Sequence, residues 1–185
     1  MQSLPRGITL IETVLYMGLF MIILPGFVLF LLQLFHTHNG LDARVRMEQT
    51  GAEIFLELQN SLTEADAINV STSTFTDDNG VLKFLDSSGQ LVTIDRPTVV
   101  TVFSGTNQNV RRLRMQKGAG AAAYLTDPEI DVTQWRIDAV RSGSTLTGIR
   151  IQFDMAMLNP TADAYRKAAF AADTTFSLSG NTTEN

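Results

Sequence analysis

The chain contains no cysteine in 185 residues. That absence excludes disulfides, thiol nucleophiles, cysteine-type zinc sites and iron–sulfur ligation. A small secreted domain without disulfides is held by its apolar core alone. Histidine is nearly absent as well, with only His36 and His38 present. Two neighbouring imidazoles fall short of the three or four convergent ligands that a metal site needs. Charged residues make up 18% of the chain, with a net charge of −5. This balance argues against a general binder of nucleic acid or anionic membrane and leaves room only for a local basic patch. No phosphate-binding loop, nucleophile elbow, zinc-protease motif or dinucleotide fingerprint occurs. The sequence therefore predicts no enzyme and no cofactor.

The most telling scarcity is local. From Ile8 to Phe35 the only charged residue is Glu12. This run of about 28 residues would span roughly 42 Å as a helix, enough to cross a hydrocarbon core of ~30 Å. A cleaved secretory signal has a shorter apolar region followed by a small-x-small site. Here the run is followed by His36-Thr37-His38-Asn39-Gly40, so cleavage after it is not expected. Arg6 lies on one side of the run, with Arg44 and Arg46 on the other, so flanking charge leaves the orientation open. Pro25-Gly26 interrupts the run and is either a tolerated kink or a functional bend. A lone ionised carboxylate in such a helix costs several kcal/mol unless it is paired or near water.

The residues Arg6-Gly7-Ile8-Thr9-Leu10-Ile11-Glu12 resemble the class III leader of type IV pilins and pseudopilins. In that family a basic residue and glycine precede the cut, an apolar residue opens the mature chain, and glutamate is its fifth residue. Ile8 stands where phenylalanine is commonest. The resemblance covers roughly the first 35 residues. It implies cleavage between Gly7 and Ile8 by a prepilin peptidase on the cytoplasmic face, followed by methylation of the Ile8 amine. It also implies a single-pass inner-membrane protein with an exported C-terminal head, which later enters an extracellular or periplasmic filament. Glu12 would then pair with the Ile8 ammonium of a neighbouring subunit, in a layer where the low dielectric strengthens the attraction.

Beyond the run, Leu41, Val45, Ala52, Phe55, Leu56, Leu58 and Leu62 recur at helical spacing and read as one broad apolar stripe packed on a sheet. Asp42, Arg46, Glu53, Glu57, Asn60 and Glu64 fall on the other side. One continuous helix from Ile8 to Ala67 is expected, with Gly40 and Gly51 as soft points. Past Ala67 the texture becomes strand-like. Strands are expected at Ile68–Phe75, Val81–Leu85, Leu91–Ile94, Thr98–Phe103, Val110–Met115, Val132–Val140, Thr147–Met155 and Thr174–Leu178. Alternation should place Leu113 with Met115, Trp135 with Ile137, and Ile149 with Ile151 and Phe153 on common faces. Short turn clusters between the strands favour antiparallel pairing. The Ala-rich residues 161–172 read as a short helix or loop, and the polar tail Gly180–Asn185 as a fraying end.

Four features of the head are candidates for chemistry. Asp77-Asp78-Asn79-Gly80 concentrates oxygen atoms of the kind calcium prefers, but lacks the EF-hand spacing and reads as a turn. Arg111, Arg112, Arg114 and Lys117 form the one basic cluster. On a strand, Arg112 and Arg114 would share a face that could meet phosphates, or be a solvated or cross-strand-paired sheet face. Trp135 reads as core. Asn69-Val70-Ser71 and Asn181-Thr182-Thr183 match a glycosylation pattern short enough to arise by chance.

The expected architecture is α+β and pilin-like, a long N-terminal hydrophobic helical spine packed on an antiparallel β-sheet head. Residues 1–7 read as leader, 8–35 as transmembrane or filament-core helix, 36–67 as exported amphipathic helix and 68–185 as β-rich head. The expected function is that of a minor pilin or pseudopilin in a type IV pilus or type II secretion-like filament. Its expected partners are prepilin peptidase, other pilin subunits, an inner-membrane assembly platform and, before assembly, membrane lipid. Two alternatives stay open: a DNA-uptake or adhesion subunit whose head binds a ligand, and an uncleaved single-pass envelope protein.

Overall fold

The computed structural model describes residues 9–159, 167–178 and 183–184. A single helix, α1 (Leu10–Thr63), carries the apolar run and continues unbroken into the head. Thr9 caps its start, its hydroxyl accepting from the Glu12 N–H at 3.4 Å. The helix passes through Pro25, Gly40 and Gly51. It ends at Glu64, whose N–H reaches the Asn60 and Leu62 carbonyls.

The helix is shorter than expected because Ala65–Ile68 forms β1. Ala favours helix, but Ala65, Ala67 and Ile68 are buried in the sheet, and that burial overrides local preference. β1 pairs antiparallel with β2 (Leu82–Asp86), which pairs with β3 (Leu91–Asp95). β4 (Thr98–Phe103) and β5 (Thr106–Arg111) form a separate hairpin. Its Ser104-Gly105 turn has positive φ at both residues, as a two-residue hairpin turn of this twist requires. β6 (Arg114–Lys117) joins β3, and β7 (Ala123–Tyr124) joins β6. β8 (Ile130–Ser142), β9 (Thr145–Met157) and β10 (Ala169–Ser177) form an antiparallel sheet in the order β10-β9-β8. β11 (Thr183–Glu184) runs parallel to β1 on the outer side of the larger sheet.

The core lies between α1 and these sheets. Phe55 of the helix meets Phe153 of β9 at 5.2 Å between ring centroids and Phe176 of β10 at 6.3 Å. Phe153 also contacts Phe170 at 5.8 Å and Trp135 at 6.2 Å. The expected alternation holds: Leu113, Met115, Trp135, Ile137, Ile149, Ile151 and Phe153 are all buried. The layout is the α+β one expected, a long helix on largely antiparallel strands.

Four local expectations are corrected. Ile68–Phe75 is not a strand beyond Ile68, because the Asn69 side chain accepts from the Thr72 N–H (3.2 Å) and the Ser71 hydroxyl (3.0 Å) and turns the chain. The expected strand Val110–Met115 is broken at Arg112-Leu113. There the Arg112 N–H turns to the Pro97 carbonyl (3.0 Å) and the Leu113 N–H to the Thr126 hydroxyl (3.2 Å). Residues 169–172 are strand rather than helix or loop, since Phe170 and Ala172 pack alternately against the core. Thr183 and Glu184 are paired strand residues rather than frayed ones. The expectation for 161–166 falls outside the described residues, as does most of the tail.

The expected single stripe on the helix is in fact two. The core side consists of Ala43, Met47, Ile54, Leu58 and Leu62, whereas Leu41, Val45, Ala52 and Leu56 are exposed. At 100° per residue the second set lies roughly 160° around the axis from Met47 and Ile54. Gly51 lies on the core side because a Cβ there would stand 2.6 Å from Phe170 Cζ. Gly51→Ala should therefore destabilise the head by about 1–3 kcal/mol through overpacking, despite its better helix propensity. Denaturant unfolding of the detergent-solubilised chain measures this. An unchanged or raised midpoint would show that Phe170 simply swings aside.

Candidate functional site

Leu10–Phe35 is exposed along its whole length. Among the described residues α1 is the one helix long and apolar enough to cross a membrane. At its mouth Thr9 and Glu12 occupy the N-cap and N3 positions, the spacing of a capping box. The carboxylate also benefits from the positive end of the helix dipole. One turn further on, the Tyr16 hydroxyl donates to Glu12 Oε1 at a long 3.4 Å. Glu12 thus has one weak side-chain partner and no cation beside it among the described residues. Gly7 and Ile8 lie outside the described residues.

At the other end of the run, His38 Nδ1 lies 3.6 Å from Asp42 Oδ2, one turn apart on the exposed helix. Among the described residues no group of three or more His, Asp or Glu converges as a metal site would need. The Asp77–Gly80 segment is a turn pinned to β8. The Trp135 N–H donates to the Asp78 carbonyl at 3.2 Å, and the Gly80 N–H to the Trp135 carbonyl at 3.0 Å. Its Asn79 side-chain oxygen accepts from the Arg96 guanidinium, so that oxygen already has a cationic partner.

Arg96 itself gave no signal in the sequence. Its Nη1 donates to the Val132 and Thr133 carbonyls at 2.7 and 2.6 Å, at an irregularity in β8 between Val132 and Gln134. It clips that irregularity to the Asn79 turn. Burial lowers its pKa from the usual guanidinium value, and nearby Arg111 adds to the effect.

The basic cluster is distributed among separate partners. Arg111 makes a bidentate pair with Asp131, Nε to Oδ1 at 3.0 Å and Nη2 to Oδ2 at 2.5 Å, and its backbone N–H donates to the same carboxylate. Arg114 makes the equivalent cross-strand pair with Asp95, at 2.8 and 2.5 Å. Arg112 donates to the Thr126 carbonyl and stacks over Tyr124 at 4.1 Å. Lys117 is exposed at the end of β6. The three arginines therefore brace three neighbouring segments and do not present one shared cationic face.

Burial pushes the Asp131 carboxyl up, but the hydrogen bonds from Arg111 outweigh it, and the net shift is downward. A carboxylate whose folded pKa lies below its unfolded value of about 3.9 stabilises above that value. The contribution is lost as pH falls through the folded pKa. Asp131→Asn should destabilise the head at pH 7 and flatten the acid limb of its stability curve below about pH 4. Unfolding midpoints from pH 2 to 7 test this, and an unaltered acid limb in the variant would remove Asp131 from the account.

No protein-family model, curated protein or solved structure matches this chain.

Proposed function

We propose that this chain is a minor pilin or pseudopilin, a structural subunit of a type IV pilus or type II secretion-like filament. The observation that carries the reading is the run Arg6-Gly7-Ile8 followed by Glu12, at the mouth of an exposed, membrane-length helix that continues into a β-rich head. Prepilin peptidase cuts between Gly7 and Ile8 and methylates the new amine. The helix rests in lipid, head outward, until an inner-membrane platform transfers it to the filament. Glu12 then receives a cation, the Ile8 ammonium of a neighbour. In a low-dielectric layer such a pair favours one axial register, because a shifted subunit would leave both charges unpaired.

The head supplies bulk and contacts rather than chemistry. The arginine cluster lends no weight to a DNA-binding head, since Arg111, Arg112 and Arg114 all have internal partners.

Intact mass and the N-terminal peptide test the reading in cells with an active prepilin peptidase. The expected mature chain begins at Ile8 with one added methyl, and Gly7→Leu keeps the leader. Glu12→Val should still be cut, yet its recovery in sheared fibres should fall about tenfold or more through the lost pair. A wild-type chain that retains Gln2–Gly7 under these conditions would sink the proposal.

A further inference from the structure

β4 is an edge strand that lacks the protection found at the other edges of the head. The outer side of β8 is occupied by residues 76–80: the Thr76 N–H donates to the Ile137 carbonyl at 2.8 Å. The Gly80 N–H does the same to the Trp135 carbonyl at 3.0 Å. β7 and β11 are two residues long, and β10 carries Asp173 at its centre. Short length and a charge are common devices against edge pairing. β4 reads Thr98-Val99-Val100-Thr101-Val102-Phe103, without charge, proline or glycine, and its register with β5 is unbroken. Val100 and Val102 are 62% and 68% exposed, and Thr98 is exposed in line with them.

The ladder decides which backbone groups are left over. Phe103 and Thr106 flank the two-residue turn and so form a hydrogen-bonded pair, followed by Thr101 with Gln108 and Val99 with Val110. The Arg112 N–H, donating to the Pro97 carbonyl at 3.0 Å, continues the same alternation. Thr98, Val100 and Val102 therefore direct their N–H and C=O groups away from β5. Among the described residues these three N–H and three C=O groups have no hydrogen-bond partner.

That pattern defines what fits. A donor and an acceptor at every second residue match the backbone of another extended strand. Every copy of the chain presents such a strand. Two β4 strands match fully when they run antiparallel with Val100 opposite Val100 and Thr98 opposite Val102. All three outward N–H and all three outward C=O groups of each copy are then paired. The joined sheet also brings both copies of Val100 and Val102 together on one face. Charge does not oppose it. β4 carries none, and Arg111, beside Thr98 on β5, already pairs with Asp131. Arg46, Asp127 and Glu129 border the Phe103 end of the hairpin. In this register the two Phe103 ends lie roughly 20 Å apart, beyond the screening length of about 8 Å.

We infer that two copies of this protein associate by antiparallel β4–β4 pairing, with Val100 at the two-fold axis. The contact is small, so it is weak and concentration-dependent. It depends neither on cleavage at Gly7 nor on the filament reading.

The absence of cysteine makes the test direct. Single-cysteine variants of the full chain, Val100→Cys, Val102→Cys and Asn109→Cys, are oxidised in detergent solution at rising protein concentration. All three positions are exposed on the same hairpin. In the paired sheet the two residues 100 have Cα atoms about 5.5 Å apart, within disulfide reach. The two residues 102, and likewise the two residues 109, lie about 14 Å apart. Disulfide-linked homodimer at position 100 should therefore exceed that at 102 and 109 about fivefold or more. Val100→Lys sets two ammonium groups opposite each other. It should weaken association of the cysteine-free chain about fivefold in sedimentation, with the far-UV circular dichroism of the wild type retained. Equal yields at the three positions, a maximum at 102 or 109, or adducts with a host protein in place of homodimers would overturn the inference. So would an association that Val100→Lys leaves unchanged.

Discussion

Everything in the head depends on how the upper half of α1 seats on β9 and β10. Phe55 projects between Phe153 and Phe176, and the missing side chain of Gly51 lets the Phe170 ring approach the helix backbone. Trp135 continues the aromatic contact from Phe153 into β8. With no disulfide to hold strands to helix, this packing is what joins the apolar rod to the folded domain. Removing apolar surface from water at about 25 cal/mol per Å² is the dominant favourable term available to it.

Polar side chains refine that arrangement without driving it. Arg111–Asp131 ties the β4–β5 hairpin to β8, Arg114–Asp95 joins β6 to β3, and Arg96 clips the Asn79 turn to the β8 irregularity. Each pair is partly exposed, so its worth lies in geometry more than in net energy. The bidentate pairs brace strands that the backbone ladders and the core already bring together. They also commit the Nε and Nη2 donors of Arg111 and Arg114 to internal carboxylates.

The two halves of the helix differ in what surrounds them. Its lower half is apolar all round, suited to lipid or to other helices. Its upper half has one face committed to the head and an opposite apolar face left open. In the proposed filament subunit, Glu12, whose described side-chain partner is the Tyr16 hydroxyl, pairs with a neighbouring helix.

Sequence alone determined the features governed by local composition and period. A membrane-length run with one carboxylate, a helix followed by short strands, and alternation at Trp135/Ile137 and Ile149/Ile151/Phe153 all follow from spacing along the chain. Tertiary structure decided what depends on competition between distant segments. Ala65–Ile68 left the helix because a neighbouring strand buries it, and Arg112-Leu113 broke a strand because Pro97 and Thr126 offered better partners. Leu41, Val45, Ala52 and Leu56 look the same in sequence as the residues that face the core. Periodicity records that a face is apolar, and only the packed sheet determines which apolar face it covers.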